Sequence, residues 1–294
     1  MIDAEDKLLV PFYKSVHEAI REVDDKKIVF YEPLTYDVWP VRFNEIPVGG
    51  EVYANRSAMS YHIYCPLAGG DREPDLIKIS CQRLDLQFFR ERRSDVKRIG
   101  GGGIMTEWGS LSNTTLDIFE IMHILELADQ HRVSHIYWQY KDYQDITSTG
   151  GDGISLYPGG NIQDKKVAVL ARTYAEAVAG STTKMMFGGS EEENVFYLHY
   201  IPSAFPDNDD FGKEEWNKDS ARTVIRVNRE HHYSRGGIKG INVRVDWGSH
   251  DMSGEISCSE DGRKIYIDHK SQSKNVSALI SVTVRPCFGD SCTC

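Results

Sequence analysis

Residues 8–23 carry apolar side chains at Leu8, Leu9, Phe12, Val16, Ile20 and Val23, with charge on the opposite face. That spacing predicts an amphipathic helix. Asp24-Asp25 ends it, and 27–33 reads as a buried strand stopped by Pro33. A long aromatic-rich loop follows to about residue 57, holding Trp39, Phe43 and Tyr53. The alternation then repeats: a strand at 59–64, a helix over 73–97, a strand at 103–107, and a helix over 115–132. Asn113 or Thr114 can cap that last helix. A strand at 135–138, a glycine-rich loop over 149–160 and a helix over about 162–177 complete the series. Strand and helix in turn, about four times over, imply parallel strands joined by helical crossovers.

The pattern changes near residue 179. Short alternating runs appear at 195–200, 223–227, 241–246, 264–268 and 278–284, parted by polar turns such as Glu260-Asp261-Gly262. Such runs without a convincing helix predict a small antiparallel sandwich. The expected organisation is therefore an α/β unit over 1–178 and a β-sandwich over 179–294.

Charge narrows the function. A net charge of −10 argues against nucleic acid, which needs clustered Lys and Arg. The basic run Arg90-Glu91-Arg92-Arg93 is mixed with acid and reads as a solvated helix face. No apolar stretch approaches the roughly 20 residues of a membrane-spanning helix. The opening Met1-Ile2-Asp3-Ala4-Glu5-Asp6 has neither the basic nor the apolar region of a signal peptide. Three glycosylation triplets, at Asn55, Asn113 and Asn275, favour a secretory history mildly. Of six cysteines, Cys65–Cys81 and Cys258–Cys287 are plausible disulfides, and the tail from Cys287 to Cys294 has no second pair to complete a zinc site. Such tails are often disordered.

Candidate chemistry centres on Thr106-Glu107-Trp108-Gly109, which ends a short apolar strand after four glycines, Gly100 to Gly103. A carboxylate at the C-terminal end of a parallel strand points into the mouth where barrel active sites lie. Three further segments fall at predicted strand ends in order: Phe30-Tyr31-Glu32-Pro33, His62-Ile63-Tyr64-Cys65 and Trp138-Gln139-Tyr140-Lys141. With Arg172-Thr173-Tyr174-Ala175-Glu176-Ala177-Val178-Ala179-Gly180 leading into the sandwich, they resemble the endoglycoceramidase branch of glycoside hydrolase family five. The likeness spans nearly the whole chain.

That resemblance implies a retaining hydrolase on a (β/α)8 TIM barrel, cutting the bond between a sugar and ceramide or a related lipid. It makes Glu107 the match for the nucleophile after the seventh strand. It places His62 and Tyr64 as the His-x-Tyr pair after the sixth, the tyrosine hydroxyl bonding the nucleophile and favouring its ionised form. Trp138 matches the platform under the sugar, and Lys141 a nearby position able to bond a sugar hydroxyl. Glu32 is divided between lining the site and stabilising its loop. The resemblance implies a glycolipid substrate at a membrane or micelle surface, no metal and no organic cofactor, and a secreted or lumenal, lysosomal-type parent protein.

The departure matters as much. Retaining hydrolysis needs two carboxyl groups about 5–5.5 Å apart. The family's second one lies in an Asn-Glu-Pro segment after the fourth strand, and no such segment stands at a matching place here. Asn44-Glu45-Ile46-Pro47 follows the fifth-strand match, inside a loop, and does not supply it. The chain thus resembles the C-terminal half of the barrel plus the sandwich. A full barrel takes about 250 residues, whereas about 178 precede the sandwich. The expectation is a fragment lacking the acid/base. Non-catalytic glycolipid binding, pairing with another chain, and a family-five β-glucanase are the alternatives.

Other signals are weaker. His231-His232 on a strand would point to opposite faces, which suits a solvated edge better than a metal. Glu191-Glu192-Glu193 and 207–210 lack the ligand spacing of a calcium loop. Ser110 has no general base at a recognisable spacing, and the glycines at 100–103 follow a helix rather than a strand, so they form no nucleotide loop.

Overall fold

The computed structural model describes residues 4–34, 40–65, 75–141, 154–188, 194–203, 222–233, 237–271 and 278–294. The acidic runs at 191–193 and 207–210, Trp39 and Asn275 lie outside them. Two compact units divide the chain, Met1–Val167 and Ala168–Cys294.

The first unit is built on four parallel strands in sequence order: β1 (Val29–Tyr31), β2 (Ser57–Ile63), β3 (Gly102–Gly109) and β4 (Ser134–Trp138). Helix α1 (Val10–Arg21), continuing a π-turn at Glu5–Leu9, precedes β1. Helices α2 (Asp75–Ile99) and α3 (Thr115–His131) make the crossovers β2→β3 and β3→β4. Thr114 caps α3, its hydroxyl accepting the Asp117 N–H at 3.2 Å. Arg132 closes the helix in the left-handed region, φ +57°.

The β1→β2 crossover has no α-helix among its described residues. Residues 40–49 run irregularly into a 3-10 segment at Gly50–Arg56, and they bury Val41, Phe43, Ile46 and Val48. An irregular segment held inside must still satisfy its backbone. Buried Glu5 accepts the N–H of Leu34 (2.9 Å) and Arg42 (2.8 Å), buried Asp95 accepts that of Val41 (3.1 Å), and Arg98 donates to the Phe43 carbonyl (2.6 Å). Val41, Phe43, Ile46 and Val48 of this loop thus belong to the core. Arg92 likewise turns inward toward Asp95 instead of lying on a solvated face.

The apolar stripe of α1 is unlike that of a packed helix. Leu8 (67% exposed), Phe12 (58%) and Val16 lie open, as do Phe30 on edge strand β1 and Ile136 on edge strand β4. By contrast α3 buries Ile121, Ile124, Leu125 and Leu127.

The predicted helix over 162–177 ends early, across the division between the two units. Helix α4 covers only Asp164–Leu170, and β5 (Tyr174–Ala177) is already a sheet strand. The compact units part at Val167/Ala168. The remaining strands are β6 (Gly180–Phe187), β7 (Phe196–Pro202), β8 (Arg222–Arg226), β9 (Gly240–Asp246), β10 (Met252–Cys258), β11 (Lys264–Ser271) and β12 (Ile280–Cys287). They form two antiparallel sheets, ordered β10-β11-β8-β5 and β6-β7-β12-β9. Alternate residues of both, among them Leu198, Ile225, Ile241, Ile267 and Val282, share one buried cluster.

Two expectations here are corrected. Cys65 pairs with Cys81 as expected, but Cys258 pairs with Cys294, and Cys287 with Cys292. The tail is therefore ordered: Cys294 exchanges backbone hydrogen bonds with Ile241 beside β9. His231 and His232 lie not on a strand but in the short helix α5 (Arg229–His232), capped by the Asn228 side chain. His232 Nδ1 meets Asn194 Oδ1 at 2.7 Å, and burial lowers its pKa to about 4.

Candidate active site

The site residues gather where the four parallel strands end. Between β2 and β3 the register slips by one residue: Tyr61 pairs with Met105, but His62 pairs with Glu107. A bulge of this kind re-aims the side chains beyond it, and here it sets Glu107 beside His62. His62 Nδ1 lies 2.7 Å from Glu107 Oε2, while Nε2 lies 3.4 Å from Glu32 Oε1 on the other side. All three side chains are partly exposed, as groups that meet a substrate must be. Ser60 donates its hydroxyl to Glu32 Oε2 at 2.9 Å.

From His62 the cluster continues through rings. Tyr64 meets the His62 ring edge-on at 6.5 Å between centroids, and meets Trp138 edge-on at 6.5 Å. The imidazole is in direct contact with Glu107, and the tyrosine ring stands against the imidazole. Glu107, His62, Tyr64 and Trp138 are joined in one run of contacts. Lys141 lies exposed past β4, its backbone bridged to Tyr157, and these contacts do not include it.

The tetrad itself is locked from behind. Trp108 is fully buried, its indole N–H directed at His135 Nδ1 (3.2 Å) and its ring edge-on to Tyr137. It therefore packs the sheet rather than facing sugar. Gly109 has φ +123°, and a Cβ there would stand 2.5 Å from the Trp138 carbonyl oxygen. Only glycine fits that approach. Ser110 N–H then bonds the same carbonyl at 3.0 Å, tying the ends of β3 and β4 together.

Sequence reasoning left Glu32 undecided and missed Ser60. The signal for Glu32 was its place at a strand end parallel to that of Glu107; for Ser60 there was none. Among the described residues no group of three metal-ligating side chains is assembled. A pocket between α2 and α3, lined by Gln82, Leu116, Glu120, His123 and Glu126, includes none of the cluster. No helix among the described residues is long and apolar enough to cross a membrane.

Residues 5–144 match the sequence profile of cellulase, glycosyl hydrolase family 5. That segment belongs to glycoside hydrolase family five. An endoglycoceramidase from Cyanea nozakii is 30% identical over 237 residues, covering 79% of this chain and 41% of the relative. One from Hydra vulgaris is 30% identical over 267 residues, covering 91% and 43%. The chain therefore spans about two fifths of the length of the curated relatives it matches. Endo-glycoceramidase II from Rhodococcus sp., in its ganglioside GM3 complex, superposes with a TM-score of 0.70 at 20% identity, over 97% of this chain and 55% of that one. Cryptococcus neoformans sterylglucosidase 1 gives 0.63 at 12% identity, over 97% and 45%. At those identities the likeness is one of fold. The chain has the parallel α/β architecture of these neighbours, with the candidate residues at the strand ends.

Proposed function

We propose that this chain is the nucleophile-bearing half of a retaining hydrolase that releases sugar from ceramide or a related lipid. The observation that carries the reading is the contact of Glu107 with His62 at the ends of adjacent parallel strands. A carboxylate fixed there, beside an aromatic that can stack on a sugar face, can attack an anomeric carbon. The glycosyl-enzyme ester forms as the glycosidic bond breaks, and water later releases the sugar.

The reading takes the first unit as four strands of an eight-strand barrel and the second as its sandwich. The open stripe of Leu8, Phe12 and Val16, and the open edge residues Phe30 and Ile136, support a barrel completed by polypeptide outside this chain. The general acid/base belongs with that missing half. Trp138 is the sugar platform and Tyr64 its neighbour. Lys141 bonds a sugar hydroxyl in the closed site. Three disulfides with no free cysteine suit a secreted or lumenal protein.

One observation favours a second reading, a non-catalytic chain that binds glycolipid or pairs with another. Glu32, the other carboxylate of the cluster, is separated from Glu107 by the His62 ring, so it cannot serve as the acid across the sugar. The test is digestion of a fluorescent glycosphingolipid by the polypeptide that includes this chain, with Glu107→Gln beside it. Release of intact glycan and ceramide, lost in the variant, supports the proposal. Release by both proteins would overturn it, and cleavage of soluble β-glucan in preference would transfer the site to the glucanase reading.

A further inference from the structure

The fold treats the Asn-x-Ser/Thr triplets at Asn55 and Asn113 differently. Asn55 lies just before β2, at the edge of the sheet opposite the candidate site. The hydroxyl of its triplet belongs to Ser57, which is 3% exposed and directs that hydroxyl at the Val48 and Tyr53 carbonyls, at 3.2 and 2.8 Å. Folding therefore withdraws it from solvent. Asn113-Thr114-Thr115 lies where the loop from β3 enters α3, at the same edge of the sheet as Glu107. Asn113 and Thr115 are both exposed.

The residues on either side of Asn113 hold the loop and leave that side chain available. Ser112 is buried, and its hydroxyl donates to the Asp117 carboxylate. Thr114 donates to the same carboxylate at 2.8 Å and accepts the Asp117 N–H at 3.2 Å. These bonds fix the turn and cap α3 without drawing on the Asn113 amide. A sugar added there displaces no bond of the cap. The middle residue of the triplet is threonine, not the proline that would bar transfer. The three disulfides suit the oxidising compartment in which such transfer takes place.

We propose that Asn113 is an N-glycosylation site, and that its glycan stands on the edge of the sheet where the candidate active site lies. This rests on the secreted or lumenal reading given above and is independent of the role of Glu107. The donor is an oligosaccharide joined through diphosphate to a lipid carrier. The Asn113 amide nitrogen bonds to C1 of the donor's first N-acetylglucosamine as the C1–O bond to the diphosphate breaks. The lipid diphosphate leaves, and the amide gives up one proton to the transferase, with no oxidation or reduction. The exposed Thr115 hydroxyl is the second group that the transferase reads.

The test is expression of the polypeptide that includes this chain in a eukaryotic cell, with an added leader that ensures entry into the lumen. The purified protein is treated with peptide-N-glycosidase in 18O water, and the peptide containing residue 113 is weighed. The expected result is conversion of Asn113 to 18O-labelled Asp in most molecules. Asn113→Gln and Thr115→Ala should each lose one glycan from the intact mass, while Thr115→Ser, which keeps the triplet, should retain it. An unmodified Asn113 in the leader-directed wild type overturns the proposal, whatever is found at Asn55 or Asn275. Loss of no glycan in Thr115→Ala overturns it equally. Modification with the leader but none with the natural N-terminus counts against the lumenal reading instead. If Asn113→Gln fails to fold, the comparison of Thr115→Ala with Thr115→Ser decides by the same readout.

Discussion

Replacing Asp85 by Asn should change how the stability of the first unit responds to pH. Asp85 on α2 is fully buried, Glu120 on α3 nearly so, and the two carboxyls face each other. Burial, then the hydrogen bond and charge of the facing Glu120 carboxyl, raise the Asp85 pKa from 3.8 to about 10. The folded protein therefore keeps a proton that the unfolded chain releases near 3.8. The sign follows: this contribution is fully present below the unfolded value and is lost as pH rises toward the folded one. One proton corresponds to about 1.4 kcal/mol per pH unit, so the first unit should lose about 3 kcal/mol between about pH 5 and about pH 7. Asn does not titrate, and Asp85→Asn should flatten the slope and gain stability at neutral pH. Because the chain has two compact units, unfolding need not be a single transition. Amide hydrogen exchange read at α2 and α3 in urea, corrected for intrinsic rates, isolates the first. Equal slopes in wild type and variant, or stability that rises with pH in this window, would refute the reasoning.

The second unit should respond in the opposite sense. Burial lowers His232 to about 4, so its contribution is lost as pH falls from about 6.5 toward that value, and His232→Asn should remove this acid sensitivity in exchange measured at β7 and β12. Gly109→Ala forces a Cβ against the Trp138 carbonyl at φ +123° and should cost about 1–3 kcal/mol in a urea melt. A cost near zero would mean that the β3 end is not held as described. The double change Leu8→Ser, Phe12→Ser should cut binding of an apolar dye while altering stability by less than about 0.5 kcal/mol, because both side chains are already exposed. A loss of several kcal/mol would place them in a core instead.

What was legible in the sequence follows from periodicity. The stripe and caps of α3, the apolar run of β2 and the alternation of β7, β8 and β12 are local signals that packing reinforces. Where local preference and tertiary pairing disagree, pairing wins. Tyr174-Ala175-Glu176-Ala177 has the composition of a helix, but it pairs with β8 and becomes strand β5. The crossover at 40–49 has no period at all, because Glu5, Asp95 and Arg98, distant in sequence, satisfy its backbone. Cysteine spacing could not single out Cys294 as the partner of Cys258.

The candidate site divides along the same line. Glu107, His62, Tyr64 and Trp138 were readable because each ends a strand, and parallel strands gather their ends. That the imidazole lies against Glu107 depends on a one-residue bulge, which no pattern of apolar positions announces. The buried pair of Asp85 and Glu120 was equally invisible, since each sits on a helix of ordinary charge content.

The most direct measurement is the mass of the peptide containing Glu107 after the protein is incubated with a dinitrophenyl 2-deoxy-2-fluoro-β-glucoside. The account predicts one glycosyl unit attached at Glu107, absent in Glu107→Gln. An adduct on another carboxylate, or none in a folded protein that includes the completed barrel, would contradict the assignment of Glu107 as nucleophile.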